Sequence, residues 1–282
     1  MKRGTSNMCD QCLHLIAKAD DDEFLDSLDL SYTKRALLEK LYKDGEESIA
    51  DLLEMQGKAL DEAIQELSDE LAVDEKELWK VILQVQAGEF FQEKFEEAVY
   101  NAFMPLFHLA GESEAVGINA DARWEQENKA AAKFAKKLKK LVPAMNQTSA
   151  DHMLRSFKRA IETGKTPAER AVLVKEVSKQ AANGEEGPFT MNRAVAISRT
   201  LSTAAANGGK LEGWKQSGLV KKKRWRSANN KRTRKDHREA NGQTVDIDKP
   251  FKVGGEKLMY PGDPAGSAKQ IVKCRCTMQA VF

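Results

Sequence analysis

The chain has 282 residues, 41% of them hydrophobic and 31% charged, with a formal net charge of +2. That length can bury a substantial core and has room for two domains. No apolar run approaches the ~20 residues of a bilayer span, and Met1-Lys2-Arg3-Gly4 leads into Met8-Cys9-Asp10 without the apolar stretch of a signal peptide, so no membrane association is expected. Four cysteines in two close pairs are too few for a disulfide scaffold and fit synthesis in a reducing cytoplasm.

The net charge conceals a separation. Residues 1–128 hold 30 acidic and 12 basic side chains, a balance of −18, and residues 129–282 hold 13 acidic and 33 basic, a balance of +20. Two regions with different partners would carry such charges, the basic one being a candidate for nucleic acid. The other account is that the halves attract each other or solvate different faces.

In chain order, Cys9-Asp10-Gln11-Cys12 with His14 has zinc-ligand residue types but needs a fourth ligand, and two free thiols near a terminus account for it more simply. From Asp20 to Gly111 the pattern is helical and acidic, with Leu37, Leu38 and Leu41, then Ile49, Leu52 and Leu53, then Leu60, Ile64, Leu67 and Leu71 on successive faces. Breaks are expected at Asp44-Gly45 and near Val73-Asp74. A helix over about Glu75–Leu109 carries the stripe Phe91, Phe95 and Phe103, which is core if covered and a docking face if exposed. Pro105 is expected to kink or end that helix, and Gly111–Asn119 reads as a linker.

A basic amphipathic helix is expected over about Asp121–Val142, with Trp124, Ala131, Phe134, Leu138 and Leu141 facing a bundle and the lysines facing water. Helices follow over about Ser149–Glu162 and Pro167–Ala182, the second with the capping box Thr166/Glu169 and Gly184 as its stop. Another runs over Met191–Ala206 and stops at Asn207-Gly208-Gly209. Beyond Trp214 the helical period fades. Thr244–Asp248 and Phe251–Val253 read as short strands, Pro261-Gly262-Asp263-Pro264 as a turn, and Ile271–Val281 as a last strand through Cys274. The expected fold is mainly α: a long helical N-terminal region, then a small α+β C-terminal module. The division is 1–120 acidic helical, 121–185 basic helical and 186–282 the module.

No phosphate-binding loop, dinucleotide fingerprint, H-E-x-x-H or nucleophile elbow is present. The dense basic run supplies the DNA-contact candidates Lys221, Lys222, Lys223, Arg224, Arg226, Lys231, Arg232, Arg234 and Lys235, with Trp225 as a residue that either stacks on a base or is buried.

Ile197-Ser198-Arg199-Thr200, Gly213-Trp214, Lys223-Arg224-Trp225, Arg232-Thr233-Arg234 with His237, Asn241-Gly242, Pro250-Phe251, Gly254-Gly255, Pro261-Gly262-Asp263-Pro264 and Cys274-Arg275-Cys276 follow in an order that resembles the phage Mu F-like minor head proteins, also called phage head morphogenesis proteins. The resemblance covers about residues 190–276, with Trp214, Trp225, Arg234, His237, Gly242, Pro261, Gly262, Asp263, Cys274 and Cys276 as motif positions. Ser198 and Leu201 stand where the family often has Ala and Glu, and Asn230 or its neighbour where an acidic residue is common, which favours a structural role over chemistry.

The resemblance implies a minor capsid component inside the head near the portal, aiding assembly and DNA packaging or ejection. The expected partners are the portal protein, a scaffold or major capsid protein, and double-stranded DNA bound without sequence preference. No cofactor and no catalytic residue are expected. The alternatives are a phage-associated enzyme, such as a nuclease or transferase toxin, for which only six residues follow Cys276, or a cellular DNA-binding protein. The resemblance also brings His237, Cys274 and Cys276 together. The favoured account is packed cysteines with His237 bonded to a backbone carbonyl and no metal. A metal site completed by Asp263, or by Cys9 and Cys12, and a Cys–His catalytic pair are the others.

Overall fold

The computed structural model describes residues 32–69, 75–86, 88–164, 166–185 and 187–282. Cys9, Cys12, His14 and the expected break near Val73-Asp74 lie outside the described residues. The expected class holds: long helices come first and a few short antiparallel strands last.

Helix α1 (Tyr32–Asp69) buries Leu38, Tyr42, Ile49, Leu52, Leu53, Leu60 and Ile64 on one stripe, whereas Leu37 faces solvent. It runs unbroken through Asp44-Gly45. A Cβ on Gly45 would stand 3.1 Å from the Phe103 ring, so this glycine gives clearance to a neighbouring helix instead of a turn. After α2 (Glu75–Gln86), Gly88 caps α3 (Glu89–Ile118). Phe91, Phe95, Val99, Phe103 and Phe107 of α3 are all buried, so the aromatic stripe is core and no docking face. Pro105 neither ends the helix nor leaves Gly111–Asn119 a linker. Burial of Phe103, Met104, Leu106 and Phe107 around it outweighs one lost backbone hydrogen bond.

Helix α4 (Lys129–Lys139) starts later than expected, because Asn128 Oδ1 accepts from the Ala131 backbone N–H at 2.7 Å and caps it. Ala131, Phe134 and Leu138 face inward as expected, while Trp124 sits in the preceding irregular segment with its ring against Gly111. Helix α5 (Val142–Thr163) begins earlier than expected, with proline in its first turn. The capping box of α6 (Pro167–Ala182) is formed: Thr166 Oγ1 accepts from Glu169 N at 3.2 Å, and the Thr166 N–H donates to Glu169 Oε2 at 3.0 Å.

Helix α7 (Met191–Ser217) is the axis of the molecule. It passes straight through Asn207-Gly208-Gly209, where a stop was expected, and ends at Gly218, whose φ of 72° forms a left-handed cap. Its most extensive neighbour is α3. A Cβ on Gly209 would lie 2.1 Å from the Phe107 carbonyl oxygen, and one on Gly213 2.2 Å from that of Gly111. These glycines let two backbones touch. The main hydrophobic core takes side chains from α1 to α7, and so from all three stretches 1–120, 121–185 and 186–282.

Beyond α7 come β1 (Lys222–Arg226), the short helix α8 (Lys235–Glu239), β2 (Thr244–Asp246), β3 (Phe251–Val253), β4 (Glu256–Leu258), the helical turn α9 (Ala268–Ile271) and β5 (Thr277–Val281). One antiparallel sheet has the order β2-β1-β5, with Lys223 opposite Val245 and Trp225 opposite Met278, and β3-β4 is a separate hairpin. Ile271 and Val272, expected in the last strand, precede it. Lys273 takes φ 53°, and the Cys274 N–H donates to Ile271 O, so the chain turns before it extends. A second core centres on Trp214, Trp225, Phe251, Val253, Leu258, Tyr260 and Met278.

Candidate functional site

Alternation along β1 puts Trp225 and Lys223 on the inward face and Lys222, Arg224 and Arg226 on the outward one. The Trp225 ring meets His237 edge-on at 5.6 Å and Phe251 at 5.3 Å. It is fully buried and so unable to stack on a base. The α8 turn carries His237 inward beneath it.

Cys274 and Cys276 lie in the irregular segment that leads into β5, and both sulfurs converge on the same imidazole nitrogen. His237 Nδ1 lies 3.4 Å from Cys276 Sγ and 3.6 Å from Cys274 Sγ. All three side chains are buried. On its other side, His237 Nε2 stands 3.1 Å from Gln270 Oε1, and Gln270 Nε2 donates to Asp236 Oδ2 at 2.8 Å. Hydrogen bonds from Gln270 and Lys269 hold Asp236 below the usual carboxylate range. The carboxylate only accepts, so Gln270 must turn its oxygen to the histidine, Nε2 must donate, and Nδ1 offers a lone pair to the sulfurs. His237 therefore does not bond a backbone carbonyl, as was expected; the buried amide of Gln270 takes that place. Hydrogen bonding from Cys276, with His237 beside it, holds the Cys274 thiol well below its ordinary range, and the same pairing together with burial pushes Cys276 up. Cys274 is the sulfur that gives up its proton first.

The Cys-x-Cys backbone rests on α7. Thr203 Oγ1 donates to Cys274 O at 2.7 Å, and Asn207 Nδ2 donates to Cys276 O at 3.0 Å. The Lys273 N–H donates to Thr200 Oγ1 at 3.0 Å, and Arg275 Nη1 reaches Arg199 O at 3.2 Å. From the sequence, Thr200 stood out only as part of the family motif and Asn207 only as a helix stop, while Thr203 and Gln270 did not stand out at all. Thr200, Thr203 and Asn207 had a visible signal: polar residues at i, i+3 and i+7 running into the small-residue stretch Ser202–Gly209 of the helix.

The other motif positions are structural. Trp214 Nε1 donates to Glu114 Oε2 at 2.5 Å, and Glu114 Oε1 also pairs with Lys210 at 3.0 Å. Asp263, buried in its turn, accepts from Lys137 Nζ at 2.8 Å, Met259 N at 2.9 Å and Ala265 N at 3.1 Å, so it does not join the His–Cys cluster. Gly242 and Gly262 take φ of 80° and 79°, the left-handed turns their neighbours require. Pro261 is buried, and its carbonyl accepts from Asn207 Nδ2 at 3.1 Å.

Of the DNA-contact candidates, Lys221, Lys222, Arg226, Lys231, Arg232 and Lys235 are exposed. Arg224 and Arg234 are half-buried: Arg224 Nε donates to Thr244 Oγ1 at 3.1 Å, and the Arg234 guanidinium donates to Val272 O. Lys223, expected at the DNA-facing surface, lies inside the module. Strand alternation turns it inward to 0% exposure, where Nζ donates to Met259 O at 2.8 Å and lies 5.3 Å from the Phe251 ring. Burial, with Lys215 nearby, lowers its pKa to about 7. Among the described residues no helix is long and apolar enough to cross a membrane.

The family model described as Phage Mu protein F like protein matches residues 126–279, more than half of the chain, and begins well before the motifs at 190. The uncharacterized protein YqbB of Bacillus subtilis (strain 168) is 24% identical over 278 residues, covering 94% of this chain and 87% of that protein. The NAD(+)–arginine ADP-ribosyltransferase EFV of Enterococcus faecalis (strain ATCC 700802 / V583) is 32% identical over 96 residues, 33% of this chain and 20% of that protein. No solved structure matches.

Proposed function

The chain belongs to the phage Mu protein F like family, and from that premise we propose that it is a non-catalytic minor head protein in phage head morphogenesis. It sits inside the virion near the portal, with its basic face against packaged DNA and its acidic helices against a protein of the portal vertex, a scaffold or the major capsid protein. The family match carries this reading. The outward side chains of β1, the loop after it and the start of α8 support the DNA contact: Lys222, Arg226, Lys231, Arg232 and Lys235 are all exposed within a short stretch. Asp44, Asp51, Glu62 and Glu66 on the solvent face of α1 support the protein contact, because the buried Phe91, Phe95 and Phe103 are not available for it.

The test is mass spectrometry of purified virions and empty procapsids assembled with the natural chain or with Asp51→Lys/Glu62→Lys/Glu66→Lys. The charge-reversed chain is expected to be depleted from both particles. Deleting residues 1–120 is the wrong variant, since it strips α3 from the glycine face of α7. Absence of the natural chain from both particles overturns the proposal.

The likeness to the enterococcal transferase supports a second reading, in which the chain is part of an ADP-ribosyl-transferring system. The match covers a fifth of that protein's length, and among the described residues the His237, Cys274 and Cys276 side chains are buried away from solvent. Release of nicotinamide from NAD(+) by the purified chain would favour this reading over the first.

A further inference from the structure

The His–Cys cluster is built more tightly than packing alone demands. Three atoms that ligate soft cations, His237 Nδ1, Cys274 Sγ and Cys276 Sγ, lie within 4.8 Å of one another in the interior of the C-terminal module. Two thiols facing one imidazole lone pair is a surplus of donors: Nδ1 has a single lone pair, and only one S–H can point along it. One cation at the centre satisfies all three atoms at once.

We propose that His237, Cys274 and Cys276 form a zinc site. Zinc–sulfur bonds of about 2.3 Å and zinc–nitrogen bonds of about 2.0–2.1 Å, arranged tetrahedrally, put nitrogen and sulfur about 3.5 Å apart. The two Nδ1–Sγ separations here are 3.4 and 3.6 Å. The spacing Cys-x-Cys, tighter than in most structural zinc sites, is accommodated because the segment leading into β5 brings both sulfurs to the same imidazole nitrogen. The histidine is already prepared: Nε2 is committed to Gln270 Oε1, and Gln270 to Asp236, which is the outer support a ligating imidazole needs to hold its ring and keep Nδ1 free. Two thiolates, a neutral imidazole and Zn²⁺ sum to zero charge, so the occupied cluster suits a site walled by Trp225. The fourth position falls to a water molecule. The ion would staple α8 to the segment entering β5, whose carbonyls Thr203 and Asn207 hold on α7.

The test uses the full chain carrying Cys9→Ser/Cys12→Ser, so that those thiols contribute no metal, purified without chelator. Elemental analysis is expected to find one zinc per chain, and a further Cys274→Ser/Cys276→Ser change to remove it. Should that variant fail to fold, two measurements stand in for it. Cobalt(II) loading of the parent should give the thiolate charge-transfer and tetrahedral d–d bands of a sulfur-ligated ion. Gln270→Ala, which keeps every ligand, should weaken metal affinity about 10- to 100-fold. A cooperatively folded parent that is zinc-free, takes up no cobalt and melts at the same temperature with and without chelator overturns the site. So does zinc that disappears with Cys9 and Cys12, or copper found in its place.

Discussion

Lys137 on α4 and Asp263 in the turn before α9 meet across 126 positions of sequence, Nζ to Oδ1 at 2.8 Å, with Asp263 1% and Lys137 26% exposed. The pair ties the C-terminal module to a helix outside it, which accords with a family match that starts at residue 126. Asp263→Ala removes the acceptor of two backbone N–H groups and the partner of a half-buried ammonium. It is expected to destabilise the chain by about 3 kcal/mol. In a double-mutant cycle with Lys137→Met, coupling of about 1 kcal/mol or more should appear in denaturant unfolding. Additive losses would mean that the backbone contacts of Asp263 matter and the ion pair does not.

The glycine contact between α3 and α7 makes a paired prediction. Alanine normally stabilises a helix over glycine by about 1 kcal/mol, yet Gly209→Ala drives a Cβ to 2.1 Å from a backbone oxygen that has nowhere to go. A loss of about 3 kcal/mol or more is expected. Gly117→Ala, in the same helix pair but with nothing within 4 Å of the new atom, should be neutral or stabilising. Equal melting temperatures for the two variants would refute close backbone contact.

Lys223 gives a pH signature. Its pKa is about 7 in the folded chain against 10.5 when unfolded. Between those values the unfolded chain binds the extra proton, so stability must rise with pH, by up to about 1.4 kcal/mol per unit. Below pH 7 both states are protonated, and the full cost of a buried ammonium persists without slope. Relative to Lys223→Met, the natural chain should therefore gain stability as pH climbs from about 7 to about 10, in urea titrations at fixed ionic strength. A difference that is flat over this range would mean that Lys223 stays charged in its pocket.

The basic face predicts DNA binding governed by salt. Removing one phosphate contact lowers the slope of log K against log salt by about 0.9. Lys222→Ala and Arg226→Ala should each do so, while Lys223→Met, inside the module, should leave the slope unchanged. Affinity that does not change between low and physiological salt would sink the DNA contact altogether.

Much of this protein is determined by rules that act within a few residues, and the sequence by itself determined those parts. The capping box at Thr166 and Glu169, the apolar faces at Leu38 and Phe134, the strand at Phe251–Val253 and the turn at Pro261–Pro264 each need only near neighbours. The order of motifs also brought His237 to Cys274 and Cys276 before any coordinates did. Only the tertiary structure decided what depends on distant chain. Asn207-Gly208-Gly209 has the composition of a helix stop, but Gly209 lies against the backbone of α3, where a side chain has no room, and the helix continues. Lys223 sits in a run that reads as uniformly basic surface, and strand pairing on both sides of β1 turns it inward. Gln270 is an ordinary residue until the fold sets it between Asp236 and His237, where its amide assigns the imidazole proton. Propensity and pattern are local energies, whereas burial and hydrogen-bond partnership belong to whichever segments the whole chain brings together.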